Sequence, residues 1–166
     1  MEGIDPLLGI SASGVVIRRA SSKIGIKELL VKMRERSGSS HVVQLFDPKM
    51  IINRTHLVSA YLNALLAFSS KSNISNSVAV EMVLYAALTR QINEAISAVG
   101  AKSEKDFIVF AESKAAYSKI SGLISNDSDF APSPAHMRSA AKALNMKVRL
   151  DDLSIMQEIA IARLGQ

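Results

Sequence analysis

The chain has 166 residues, no cysteine and a formal net charge of +5, with 48% hydrophobic and 21% charged residues. This length fits one domain with its own core, and the composition excludes disordered, collagen-like and low-complexity chains. The absence of cysteine excludes disulfides, thiol nucleophiles and cysteine-based zinc or iron–sulfur sites. Aromatic residues are only 5% and tryptophan is absent, which argues against rows of base-stacking platforms.

The first half of the chain alternates short β-rich runs with helical patterns. Residues 14–18 and 41–46 are typical of strands, and residues 24–36 predict a helix with basic residues opposite its apolar positions. Residues 54–70 predict a helix that Asn53 caps, and its apolar residues cover nearly the whole circumference. Such a helix is buried on several sides. Its remaining polar stripe consists of His56, Ser59 and Asn63.

The second half is mainly helical. Ser77 and Thr89 are predicted to cap two helices, and Gly100 stands where the second should stop. The other predicted elements are a strand at 107–110, helices at 113–125, 134–145 and 151–164, and a last strand at 146–150. This order predicts a mixed α/β fold in a single domain over residues 1–166. We expect a small sheet of three or four strands, mainly antiparallel or mixed, covered by helices.

The sequence contains none of the common motifs that identify a catalytic or metal site. No glycine-rich phosphate loop is present, and His41, His56 and His136 stand too far apart for the helical pairings that bind zinc. A triad that meets only in space remains open, but no Gly-x-Ser-x-Gly elbow supports one. We therefore expect no catalytic residue, metal, cofactor or small-molecule substrate. The acidic first residues and the short apolar stretches predict a cytoplasmic protein that does not associate with a membrane.

The positive charge is concentrated towards the amino terminus. Residues 1–56 contain nine Lys and Arg against five Asp and Glu, whereas residues 57–166 contain eleven against ten. A basic patch between residues 18 and 36 can attract phosphates, and the alternative is a solvated helix face. In the two helices predicted to follow Ser77 and Thr89, Glu81 and Arg90 have few charged neighbours in the sequence. A structural ion pair or a hydrogen-bonded group is the expected interpretation, with direct function as the alternative.

Several stretches in the middle of the chain resemble the small non-catalytic subunit of the KEOPS complex, the archaeal relatives of human PRPK-binding protein. The similarity continues through the final helix and covers most of the chain. One departure is Leu88, where a glycine or another small residue is expected between two helices. The stretches that carry the resemblance are Asn53-Arg54-Thr55-His56-Leu57-Val58-Ser59-Ala60, Asn63-Ala64-Leu65, Glu81 followed by Leu84-Tyr85, Thr89-Arg90-Gln91-Ile92, Glu94-Ala95-Ile96 and Val99-Gly100.

The resemblance implies a mixed α/β fold and an accessory role. KEOPS installs a threonylcarbamoyl group on the adenosine beside the anticodon of certain tRNAs. In that complex a transferase and a kinase-like ATPase perform the chemistry. The subunit resembled here binds the ATPase and the 3′ CCA end of tRNA, and it carries no catalytic residue. Two alternatives from other classes are a stand-alone RNA-binding module without a protein partner and a small enzyme with an unrecognised site.

Candidate interface residues follow for each partner. The final helix places Ile155, Ile159 and Ala162 on one side, which is expected to face the sheet. The neighbouring side is expected to bind the ATPase, because Arg163 can keep its charge in water while its stem covers apolar surface. Complete burial of this helix in its own domain is the alternative. The tRNA candidates are Lys27, Arg54, His56, Lys71 and Arg90, and the ATPase candidates are Met156, Ala160 and Arg163.

Overall fold

The computed structural model describes residues 4–5, 10–11, 14–147 and 149–164, with side chains for 14–147 and 149–161. Its strands are β1 (Ile4–Asp5), β2 (Ile10–Ser11), β3 (Val16–Ser21), β4 (Val43–Phe46), β5 (Phe107–Ala111) and β6 (Ser125–Asp129). Its helices are α1 (Ile26–Ser37), α2 (Arg54–Ser69), α3 (Val78–Ala87), α4 (Ile92–Val99), α5 (Lys114–Ile120), α6 (Pro134–Ala143) and α7 (Asp152–Leu164). Two single 3₁₀ turns lie at Pro48–Met50 and Ser121–Leu123. The predicted mixed α/β fold is confirmed.

The principal sheet has four antiparallel strands in the order β4-β5-β3-β6. Helices cover both faces, which explains why the central strand β5 is a continuous apolar run with every residue buried. Its alternate side chains divide between two cores. Ile108 and Phe110 join the core formed with α2, α3, α4, α6 and α7, whereas Phe107 and Val109 join the core under α1 and α5. A separate hairpin pairs β1 with β2.

Side-chain caps set the starts of several helices, as the sequence indicates. Asn53 Oδ1 accepts a hydrogen bond from the His56 amide at 3.0 Å, and Ser77 Oγ accepts one from the Val80 amide at 3.2 Å. Thr89 is an exception, because α4 begins at Ile92 and its N-cap is Gln91. The Thr89 hydroxyl instead donates to the Glu94 carboxylate at 3.0 Å.

Gly100 ends α4 because the backbone approaches too closely for a side chain. Its amide donates to the Ile96 carbonyl at 3.0 Å, and a Cβ at this position would lie 2.5 Å from that oxygen. The predicted stop at Gly100 is therefore confirmed, with steric exclusion as its reason.

Three predicted elements differ from the structure. The helix expected over 113–125 ends at Ile120, and a 3₁₀ turn then leads into the polar strand β6 on the edge of the sheet. The strand expected over 146–150 is wrong where the structure describes it, because residues 146, 147, 149 and 150 are irregular and Val148 lies outside the described residues. The first predicted strand also lies later, at Val16–Ser21.

The helices of the described part of the chain include none with the length and apolarity that crossing a lipid bilayer requires.

Candidate interaction surfaces

Helix α7 packs mainly against α2 and α3 through one apolar side. Ile155 and Ile159 are completely buried there and belong to the larger core. This confirms them as core residues. The elements that α7 contacts most are α2 and α3, which pack against each other as the α2–α3 pair, whereas the expectation named the sheet. The side chain of Ala162 lies outside the described residues.

The start of α7 is held by two aspartates. The Thr55 hydroxyl donates to Asp152 Oδ1 at 2.6 Å, which ties the start of α7 to the start of α2. Asp151 accepts from the Ser154 amide at 2.9 Å and from the Ser154 hydroxyl at 3.0 Å. These hydrogen bonds, the amide bond first, lower the pKa of Asp151. The orientation of α7 is thus determined by specific polar contacts as well as by its core side.

The opposite side of α7 exposes an unusual amount of apolar surface. Leu153 is 65% exposed, Met156 36% and Ile161 58%. We call Leu153, Met156 and Ile161 the α7 stripe. Ala160 is half-buried beside it, and the side chain of Arg163 lies outside the described residues. Leu153, Met156 and Ile161 are among the apolar residues from which the sequence predicts a partner face beyond the core face, but only Met156 is among its interface candidates.

The basic candidates are exposed but do not form one patch. Arg54, Lys71 and Arg90 are associated with the α2–α3 pair, whereas Lys27 lies on α1, which covers the other face of the sheet. The His56 contact with Ala86 brings the end of α3 to the start of α2, so Arg54 and Arg90 belong to the same end of the pair. Lys71 follows the other end of α2, roughly 24 Å away at 1.5 Å per residue.

Part of the amino-terminal basic cluster is already neutralised. Arg18 bonds to Asp127 and Asp129, and Arg19 donates to both carboxylate oxygens of Asp106 at 2.7 Å. The Arg19 guanidinium lowers the pKa of Asp106 accordingly. Among described residues, Lys27, Lys71 and Arg90 form no ion pair, and Arg54 donates to the Val15 carbonyl at 3.0 Å. Fewer cationic side chains are therefore available to bind phosphate than the number of Lys and Arg residues in the sequence suggests.

His56 is a buried structural residue in this fold. Its Nδ1 accepts from the Ile52 amide at 3.1 Å, which leaves Nε2 to donate to the Ala86 carbonyl at 2.9 Å. Burial lowers the pKa of His56 to about 4, so the ring is neutral at pH 7. The side chain is fully enclosed and both nitrogens are occupied. It therefore offers no accessible surface for an RNA contact in this conformation.

Glu81 is a hydrogen-bonded structural group, as one of the two structural expectations held, and among the described residues it forms no ion pair with Arg90. Glu81 is buried and faces the loop before α3, where it accepts hydrogen bonds from the Ile74 and Ser75 amides and from the Ser75 hydroxyl. The shortest two, both from Ser75, are 2.8 Å. Arg90 is exposed beyond the other end of α3. Hydrogen bonds from backbone amides, rather than a contact with Arg90, offset the cost of burying the Glu81 carboxylate.

A second titratable cluster joins α2 to the sheet. Glu112 contacts His41 Nδ1 at 2.9 Å and accepts from the Tyr61 hydroxyl at 3.2 Å. Desolvation, with a smaller contribution from Glu112, raises the pKa of Tyr61. This cluster contains two potential metal ligands, and the described residues hold no group of three or more His, Asp or Glu that could bind a metal ion. Through Glu112, these contacts join the end of β5 to α2 and to the segment before β4.

A comparison with models of protein families finds a match that covers most of the chain. The family model described as "Kinase binding protein CGI-121" matches residues 23–159. The matched region begins before α1 and includes both helices of the α2–α3 pair, the strands β4, β5 and β6 of the sheet, and the first part of α7, whereas β3 precedes it. A comparison with curated proteins finds no match.

Proposed function

The chain belongs to the CGI-121 family of kinase binding proteins, and we propose that it is the non-catalytic kinase-binding subunit of a KEOPS-type tRNA-modifying complex. The family match over residues 23–159 carries this proposal. The description of the family names binding to a kinase, which supports an accessory role. In the proposed complex the kinase-like ATPase and a transferase act on tRNA in the cytoplasm, and this chain supplies contacts.

We assign the α7 stripe to the kinase. Exposed leucine, methionine and isoleucine side chains on one helix gain free energy when a partner removes them from water, at roughly 25 cal/mol per Å² of apolar surface. The helix beneath them is anchored by Ile155, Ile159 and the Thr55–Asp152 hydrogen bond, so the surface is preorganised. Ala160 borders the stripe, and the sequence adds Arg163 as a further proposed contact.

The kinase assignment is tested with the kinase-like ATPase from the same source. Met156→Glu and Ala160→Glu each place a carboxylate in the interface, and we expect at least a hundredfold weaker binding in calorimetric titrations. Ile74→Glu is the matched control, because Ile74 is also an exposed apolar residue but lies in the loop before α3. Full affinity in the folded α7 variants would show that the kinase binds elsewhere.

We propose that RNA binds at the end of the α2–α3 pair where Arg54 and Arg90 lie. Both side chains are exposed, and guanidinium groups bind phosphate in bidentate geometry. Discrimination for the single-stranded 3′ CCA end then requires polar contacts to bases in addition to these phosphate contacts. Lys71 and Lys27 remain candidates at other positions, and His56 supports this surface only indirectly by joining the two helices.

The RNA assignment is tested by titrating labelled tRNA with and without its 3′ CCA. We expect binding to weaken when CCA is removed, and Arg54→Gln and Arg90→Gln to weaken binding of intact tRNA about tenfold each. Lys71→Gln and Lys27→Gln are separate comparisons at distant positions. Equal affinity for both tRNAs would contradict recognition of the end. Kinase binding without any tRNA binding would leave the kinase-binding role and remove the RNA role.

A further inference from the structure

A groove beside the outer strand β4 contains apolar surface that lies outside both the α7 stripe and the end of the α2–α3 pair that carries Arg54 and Arg90. It has a volume of about 770 Å³ and lies between α1, α3, α4 and β4. The half-buried Leu30 contributes aliphatic surface to its lining, and the buried side chains of Leu45 and Val83 also border it. Ile96 on α4 also lines it and is 50% exposed, although it is a large apolar side chain. The groove shares no lining residue with the α7 stripe.

The charges around this groove favour an acidic occupant. Lys27 and Arg34 line it from α1, and Lys102 lines it from the segment after α4. Glu28 also lines the groove, but Lys32 Nζ lies 2.9 Å from its carboxylate. Glu104 is the remaining acidic residue of the lining, against three cations. Within the described residues, Lys27, Arg34 and Lys102 have no carboxylate partner within 4 Å.

The open edge of β4 is largely closed to an additional strand. The Leu45 amide donates to the side-chain oxygen of Gln44 at 2.9 Å, and Phe46 pairs with Gly100. An incoming chain would have to displace these contacts to continue the sheet. The groove therefore offers side-chain contacts between helices, which is the geometry that receives an amphipathic helix.

The aliphatic lining also separates a protein occupant from a nucleic acid. None of the groove residues is aromatic, whereas single-stranded bases are usually held by stacking on aromatic rings. Leucine and isoleucine side chains of a helix match an aliphatic surface, and glutamates beside them match the cations. We propose that this groove docks an amphipathic helix of a protein partner, with aliphatic residues on one side and acidic residues flanking them.

The test uses a fluorescein-labelled 14-residue peptide with leucine at helical i, i+3, i+4 and i+7 spacing and glutamate elsewhere. The matched probe replaces every glutamate with lysine. We expect the acidic peptide to bind at least tenfold more tightly in fluorescence anisotropy. Ile96→Glu and the double variant Lys27→Glu/Arg34→Glu should each weaken its binding at least tenfold. Val31→Glu and Lys114→Glu/Lys119→Glu alter exposed residues outside the groove and should leave it unchanged.

Circular dichroism and thermal melting establish that each variant is folded, and all six altered groove and control positions on α1, α4 and α5 have exposed side chains. If Ile96→Glu unfolds, the double charge variant still tests the groove. Equal binding of the two peptides, or wild-type affinity in both groove variants, would overturn the proposal. Displacement of the acidic peptide by a CCA-ending RNA oligonucleotide would identify the groove as a nucleic-acid site and would also overturn it. These peptide-binding measurements do not depend on whether the kinase binds α7, so the two proposals can fail separately.

Discussion

Individual residues in the α2–α3 pair show how local chemistry determines the geometry of the larger fold. His56 joins the start of α2 to the end of α3, and Glu81 fixes the loop that connects the two helices. Leu88 then ends α3 in the left-handed region, with φ 57° and ψ 36°. The resemblance expected a glycine or small residue there, and the positive φ supplies the physical reason.

Replacement of Leu88 separates backbone strain from packing. Leu88→Ala and Leu88→Gly both remove a half-buried side chain that packs against the larger core, but only glycine relieves the left-handed strain. We expect the glycine variant to be more stable than the alanine variant by about 1 kcal/mol. Urea denaturation measures this difference. An alanine variant of equal or greater stability would show that the bend does not strain this position.

Burial of His56 predicts a pH-dependent stability. Its pKa is about 4 in the folded protein and about 6.5 in the unfolded chain, so the unfolded state binds more protons between these values. The free energy of unfolding should therefore fall as pH decreases from about 6.5 to 4, by roughly 3 kcal/mol in total from this group. Above pH 6.5 both states are neutral and this contribution is constant.

The comparison variant is His56→Gln, which removes the titration. It should be less stable at pH 7 but should show a shallower decline between pH 6.5 and 4. Chemical denaturation at several pH values gives both slopes. Parallel slopes would mean that His56 is not responsible for the pH dependence.

At the level of elements, β6 differs from the other strands of the sheet because it contains no apolar residue. Its sequence is Ser125-Asn126-Asp127-Ser128-Asp129, and four of the five residues are exposed. Backbone pairing with β3 is reinforced by Arg18, which bonds to both aspartates, and by the Tyr117 hydroxyl on Asp127. An ionic connection from the neighbouring strand replaces the hydrophobic contribution that normally holds an edge strand.

Arg18→Gln should consequently loosen β6 selectively. We expect a loss of at most about 1 kcal/mol in global stability, because the pair is about one-third exposed, and a larger loss of amide exchange protection in β6. Arg19→Gln is the matched control on the same strand, since its partner Asp106 lies outside β6. Hydrogen exchange measured residue by residue distinguishes the two. Similar protection of β6 in both variants would contradict the selective role of Arg18.

For the whole molecule, the net charge of +5 does not describe one basic surface. Arg18 and Arg19 are neutralised by carboxylates, whereas Arg54 and Arg90 are exposed at one end of the α2–α3 pair. Counterion release depends on the cations that meet phosphates rather than on the total charge. The proposed RNA surface is therefore much smaller than the sequence charge suggests.

This distribution predicts how salt affects tRNA binding. Arg90→Gln should make the plot of log affinity against log salt concentration shallower by about 0.7, the value for one phosphate contact on a single strand. Arg19→Gln should leave the slope unchanged because Arg19 is engaged with Asp106. Titrations between 50 and 200 mM salt measure both, and an unchanged slope for Arg90→Gln would exclude it as a phosphate contact.

The sequence alone determined those features that depend on neighbouring residues. Periodicity identified the buried helix α2, caps identified the starts of α2 and α3, and Gly100 identified the end of α4. The family resemblance was also carried by local stretches, and the family match confirms it. These signals are local because helical hydrogen bonds and caps join residues only a few positions apart.

Only the tertiary structure decided the features that depend on distant partners. The polar strand β6 has no apolar alternation, and it exists because β3 pairs with it and Arg18 neutralises its aspartates. Periodicity separated the two sides of α7, but the packing partner had to be α2 and α3 rather than the sheet. Glu81 likewise accepts hydrogen bonds from backbone amides instead of pairing with Arg90. Such contacts bring together groups whose separation along the chain leaves no local pattern.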